Sequence, residues 1–228
     1  ADLSRERERE RLEAVVSSSD ATLLTLVKAT DGNPKALALA LGYIKDSAAP
    51  LETLVHNLYA AHDSLARLFD YFFSQAWERC SEEARALWRV VSFFADAVGR
   101  EALAATANLP GRYFYDALEQ LRDRSLLDIE EGPNKEPRYR AHPMVRAYAV
   151  AQFREAPDLE ANARRAWVDY YDRYLTEHSF DDWPTFAVLD HEYENLLAAI
   201  LWALEHSHPS APRMARHFWR YLYVRGHW

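Results

Sequence analysis

The stretch from Pro137 to Ala149 constrains the fold more than any other part of this chain. Arg138-Tyr139-Arg140-Ala141 alternates polar and apolar residues, the pattern of a half-buried strand. The alternation stops at His142, and Pro143 stands where a helix would begin. Proline is well tolerated at a first helical position, because that N–H has no partner inside the helix anyway. Val145, Tyr148, Ala149 and Gln152 then recur at helical spacing. The pattern predicts a strand that turns directly into a helix, with the His142 imidazole at the corner. A helix N-terminus offers N–H groups and a partial positive charge, which suits an anion such as a phosphate. Whether His142 meets a phosphate or only packs depends on what stands opposite it.

The elements upstream give that corner its setting. Ser81-Glu82-Glu83 caps and starts a helix with Leu87, Trp88, Val91 and Phe94 as its apolar stripe. A short helix follows from Arg100 to Asn108, and Leu109-Pro110-Gly111 breaks it. Residues 112–125 form a further helix with Phe114, Leu118 and Leu121 inward. Leu126 to Glu130 reads as a strand, Gly132-Pro133-Asn134-Lys135 as a turn, and Pro137 to Ala141 as the returning strand. Three helices followed by a β-hairpin are the order of a winged helix. Ahead of it, Ser4 caps a charged helix, Asp20 a second, Pro34 opens a third after Gly32-Asn33, and Leu51 to Leu58 makes a fourth. Composition by itself reads Gly32-Asn33-Pro34 as a tight interhelical turn. His62-Asp63-Ser64 serves as a linker and cap. Beyond Phe153 the pattern is helical throughout: Asp158 to Tyr174, one long helix from Pro184 through Leu204, and Met214 to Val224. The sequence thus predicts a mainly α protein in three segments. These are a helical bundle over residues 1–62, a winged-helix domain over 63–155, and a tetratricopeptide-like helical hairpin over 156–228.

Composition narrows the function. The 228 residues are 49% hydrophobic, with only 6 glycines and 10 prolines, which favours a helical chain with a sizeable core. A net charge of −8 argues against a chain that coats nucleic acid. The single Cys80 excludes an internal disulfide and fits a reducing cytoplasm. No apolar run has the length of a membrane span. No phosphate-cradling Gly-rich loop of either common type is present. His206 and His208 lack a nearby third ligand, so no metal site is expected. Cys80, Glu101, Glu130 and Glu131 lack catalytic partners. The third winged-helix helix carries Arg112, Arg122 and Arg124 against Asp116, Glu119 and Asp123. That balance makes DNA an unlikely partner, since phosphate neutralisation supplies most duplex affinity. A chain that starts at Ala1 and stops at Trp228 without caps reads as a piece of a longer polypeptide.

Three stretches together resemble one family. Gly32-Asn33-Pro34-Lys35-Ala36-Leu37 resembles the Gly-x-Pro motif of STAND signal-transduction ATPases of the NB-ARC type. Tyr139-Arg140-Ala141-His142-Pro143-Met144-Val145-Arg146 resembles the histidine-bearing end of their winged helix. Asp190-His191-Glu192-Tyr193-Glu194-Asn195-Leu196, with Phe218-Trp219 to Trp228, resembles the start of their helical repeats. The resemblance implies Pro34 as an adenine contact, with Gly32 beside it, and His142 as a contact to the β-phosphate of ADP. Pro143 departs from the family's usual acidic or polar residue and removes one N–H from the helix start. The resemblance also implies ADP or ATP with Mg in the full-length protein, supplied by an N-terminal P-loop domain. This piece would then be a non-enzymatic regulatory fragment that closes over ADP and controls oligomerisation, or binds a protein ligand through its repeats. The alternatives are a winged-helix DNA-binding transcriptional regulator and a repeat-based interaction module.

Overall fold

The computed structural model describes residues 6, 9–10, 13, 20–47, 49–60, 64–154, 156–178 and 183–226. It is mainly helical, with one three-stranded antiparallel sheet. The chain divides into two compact units, residues 1–81 with 119–127, and residues 82–118 with 128–228.

The first unit contains α1 (Asp20–Ala29), α2 (Pro34–Asp46), α3 (Leu51–Ala60) and α4 (Leu65–Arg79). Helix α1 packs on α3, and α2 packs on α4. Leu26, Leu39, Ile44, Leu54, Leu58, Leu68, Phe69 and Phe73 form the core. Gly42 lies in α2 against the backbone of Arg124, where an added Cβ would come within 3.1 Å of three main-chain atoms. Arg124 is anchored there by Asp46 at 2.8 Å. Ser64 caps α4 by accepting from the Arg67 N–H at 3.4 Å. Of the charged helix expected from Ser4, residues 6, 9, 10 and 13 are described and are helical. Its Arg9–Glu13 pair, 3.0 Å apart, is exposed on both sides and contributes about 0.5 kcal/mol or less. Ser4, His62 and Asp63 lie outside the described residues.

The second unit begins with α5 (Glu82–Val91), β1 (Val98–Gly99), α6 (Arg100–Ala107) and α7 (Gly111–Asp123), whose last residues group with the first unit. Strands β2 (Leu127–Glu131) and β3 (Pro137–Ala141) follow. The sequence pattern predicts a two-stranded hairpin. The structure adds β1, and the sheet order is β1-β3-β2. A strand of two residues is too short to carry a pattern of its own. It exists because Val98 pairs with Tyr139 and Gly99 with Arg138.

Helix α8 (Pro143–Phe153) leaves the sheet and packs on α5. Trp88 fixes that contact: its indole N–H donates to the Val145 carbonyl at 3.2 Å, and its ring stacks on Tyr148 at 5.3 Å. Helix α9 (Pro157–Glu177) packs along α6. Phe93, Phe94, Phe153, Trp167 and Tyr171 join it to the segment after α5 and to α8 through ring contacts of 5.2–6.4 Å. The expected long helix from Pro184 to Leu204 is instead two helices, α10 (Trp183–Asp190) and α11 (Tyr193–Glu205). The break falls at His191-Glu192, where Glu192 has φ −107° and ψ 4°. Its side chain is drawn inward to buried partners, described below. Helix α12 (Ala211–Arg225) returns antiparallel to α11 and also packs on α9. Asp172 of α9 holds one end of α12 through Arg213, and Asp190 holds the other through Tyr221 and Arg225.

Two stability predictions follow from this packing. Trp88→Ala removes a fully buried ring and its hydrogen bond, and is expected to cost about 3–5 kcal/mol in urea unfolding. The second concerns acid. The Arg213 hydrogen bonds, more than the opposing effect of burial, hold the Asp172 carboxyl below its ordinary range, with Ser210 and His217 assisting. The stability this gives is present above the unfolded carboxyl pKa of about 3.9 and is lost as pH falls through the folded value. Asp172→Asn should therefore lower stability at pH 7 and flatten its decline below about pH 4, as read by thermal melts across pH.

Candidate functional site

The Gly32-Asn33-Pro34 stretch is a compact junction between α1 and α2. Gly32 sits at φ +63°, the left-handed region that glycine enters without strain, and its N–H bonds the Val27 carbonyl at 2.9 Å. Asn33 caps α2, its side-chain oxygen accepting from the N–H groups of Lys35 and Ala36, each at 3.0 Å. Pro34 is the first residue of α2 and is exposed. The residues thus make a helix stop and a helix start.

His142 lies at the predicted strand-to-helix corner. It is the N-cap of α8, and its Nδ1 accepts from the Met144 N–H at 3.3 Å. Nδ1 thus serves as the capping acceptor of this helix. Pro143 brings no N–H, and the Met144 N–H is engaged by the histidine itself. The end of this helix is therefore capped from within over its first two positions, where a phosphate would otherwise find donors. Arg146, one turn on, donates to the carbonyls of Phe94 at 2.8 Å and Ala95 at 3.2 Å.

The densest polar arrangement in the second unit is centred on Glu192. The residue is 6% exposed, and both carboxylate oxygens are occupied. Oε1 accepts from Arg138 Nη1 at 2.6 Å. Oε2 accepts from the Tyr171 hydroxyl at 2.8 Å and from Asn195 Nδ2 at 3.2 Å. Asn195 also donates to the Ala97 carbonyl at 3.1 Å, and its oxygen accepts from the Asp96 N–H at 3.0 Å. Arg138 Nη2 donates to the carbonyls of Ala97 and His191. One carboxylate thereby ties together β3, α9, the start of α11 and the loop before β1. Burial, the Glu192 charge and the hydrogen bond to it all push the Tyr171 phenol well above its ordinary pKa, so it stays a donor.

These residues were legible only in part. Asp190, Glu192 and Asn195 stand in a stretch whose composition draws notice, but their partners Arg138, Tyr171, Asp96 and Ala97 are 21 to 99 positions away. Beside this cluster a cleft of about 240 Å³ opens between the turn before β3, the start of α6, α9 and the α10–α11 junction. Tyr170 and Tyr174 form its aromatic wall, their rings 6.0 Å apart and nearly parallel. Among the described residues no group of three or more His, Cys, Asp or Glu side chains is placed to hold a metal ion. No helix among them is long and apolar enough to cross a membrane.

No family model matches the chain. It is 34% identical over 210 residues to the transcription activator GutR of Bacillus subtilis (strain 168), an alignment that takes in 87% of this chain and 25% of that protein. The chain thus spans about a quarter of the length of the curated relative it matches. That relationship overturns the STAND and NB-ARC reading and leaves ADP binding and a nucleotide-controlled switch without support. The residues on which the resemblance rested have local work to do: Gly32 and Asn33 join two helices, Pro34 starts one, and His142 caps another.

The Glu192 cluster makes a sharp prediction. Arg138→Ala leaves a buried carboxylate without its cation and should cost about 3–5 kcal/mol. Tyr171→Phe removes one hydrogen bond to that charge and should cost about 1.5–3 kcal/mol. If the cluster acts as one network, the double variant will lose less than the sum, as measured by a double-mutant cycle in chemical denaturation.

Proposed function

We propose that this chain is a cytoplasmic, non-enzymatic segment of a transcription regulator. The observation that carries the reading is the similarity to a transcription activator along nearly the whole of this chain, with a winged-helix element order in the structure. That relative also makes DNA the first partner to test, in place of the expectation that DNA is unlikely.

In a winged helix the third helix is the element that enters the major groove. Here that is α7. It exposes Arg112, Tyr113, Tyr115, Asp116, Glu119 and Arg122. Arg112 pairs with Asp116 at 3.2 Å, and Arg122 with Asp123 at 3.1 Å and Glu119 at 3.5 Å. Exposed pairs of this kind are worth about 1 kcal/mol or less, so a phosphate can compete for each arginine. The acids remain and repel the duplex, which keeps affinity low. A repeat-based protein-interaction module is the second reading, favoured by Trp219, Tyr223 and Val224 exposed on α12.

The test is anisotropy of labelled duplex DNA between about 50 mM and 200 mM salt. Wild type is expected to bind weakly. A triple variant, Asp116→Asn with Glu119→Gln and Asp123→Asn, should bind more tightly and with a steeper salt dependence, because its arginines are released to phosphates. Equal affinity in the two proteins, or none in either, would count against DNA contact through α7 and favour the interaction module.

A further inference from the structure

The cleft beside Glu192 has chemistry that its structural neighbours do not use up. Both terminal nitrogens of Arg138 are engaged, by Glu192 on one side and by main-chain carbonyls on the other. Both oxygens of Glu192 are likewise engaged. The cleft is therefore left to Tyr170, Tyr174, Glu101, Glu136, Arg100 and His191. Neither Glu101 nor Glu136 has an ion-pair partner among the described residues, and neither tyrosine hydroxyl has a hydrogen bond there. Tyr174 is backed by His178, whose ring lies 4.3 Å away at a tilt of 31°.

We propose that this cleft binds an organic cation, a guanidinium or alkylammonium group, between the faces of Tyr170 and Tyr174 and the carboxylates of Glu101 and Glu136. An aromatic face attracts a cation through its quadrupole, and phenol oxygens accept its N–H groups. The charges favour the same sign. Burial first, then the charges of Glu192 and Glu101, push the Tyr170 phenol upward, with Arg173 opposing, so the hydroxyl keeps its proton at the edge of the cleft. Arg100, at the exposed start of α6, is one positive charge in the lining against the two negative charges of Glu101 and Glu136. Size matters too. About 240 Å³ lies just below the roughly 300–1,000 Å³ of ordinary ligand pockets. That admits a side chain or a small amine and leaves little room for a nucleotide. The group can arrive on a partner protein, as an arginine or lysine, or as a free small cation.

The inference does not rest on the transcription-regulator reading: it concerns residues remote in sequence from α7, and duplex binding does not report on it. The test is calorimetric titration of the chain with N-acetylarginine amide, and with N-acetylcitrulline amide as its uncharged isostere. The arginine amide is expected to bind with millimolar affinity and the citrulline amide at least about ten-fold more weakly. Glu101→Gln with Glu136→Gln, two exposed positions whose change spares the core, should reduce arginine-amide affinity about ten-fold. Tyr174→Leu should reduce it further, with circular dichroism confirming the fold. Equal binding of the two amides, no binding of either, or unaltered affinity in the Glu101/Glu136 variant would overturn the proposal. A short arginine-containing peptide separates the two sources. Affinity above that of the amide assigns the cleft to a partner's basic side chain, and equal affinity assigns it to a free cation.

Discussion

The second unit is organised around a buried charge, Glu192. Glu192 is out of water, and a carboxylate in that position is tolerable only when every lone pair is answered. Arg138, Tyr171 and Asn195 do so, and each comes from a different element. The arrangement explains several features at once. The chain between α10 and α11 breaks helical geometry at Glu192 so that its side chain can reach inward. Asn195 then bridges the same carboxylate to the loop before β1, and that loop delivers Val98 and Gly99 to the edge of β3. A two-residue strand is a weak object by itself. Here it is held by an amide and a guanidinium that converge on the Ala97 carbonyl.

Around this polar centre the packing is aromatic. Phe93, Phe94, Trp167 and Tyr171 interlock between the segment after α5 and α9 within the second unit. The last helix is added by charge: Asp172 and Asp190 hold opposite ends of α12. Many of the unit's described acids and arginines are paired with one another, and the cleft beside Glu192 is lined by phenols and carboxylates.

Helices α5, α6 and α7 followed by the β2–β3 hairpin stand in the order of a winged helix, and element order by itself assigns no function. The sequence foresaw the balance on α7, three arginines against three acids, and the structure shows the consequence. Each of those arginines has an acid within ion-pair distance. Any phosphate approaching that surface would have to compete with its carboxylates for the arginines. The nucleotide-switch resemblance drew on Gly32, Pro34 and His142, three residues that are also good helix punctuation. A cap and a ligand contact demand the same residue types, and a motif by itself does not separate them.

Periodicity and capping chemistry were enough to specify most of the local structure. The strand from Pro137 to Ala141, the corner at His142, the start of α8 at Pro143 and the left-handed turn at Gly32 were all legible, because each depends on neighbours within a few residues. The inward residues of α7 were legible for the same reason. Tertiary structure decided the rest. Strand β1 exists only through pairing with β3, some 40 residues on. The predicted long helix divides because a half-buried arginine and a buried tyrosine claim Glu192. The acidic aromatic cleft forms because α6, α9 and the wing turn meet. None of these leaves a periodic trace, since a hydrogen bond between distant residues has no spacing in the sequence to betray it.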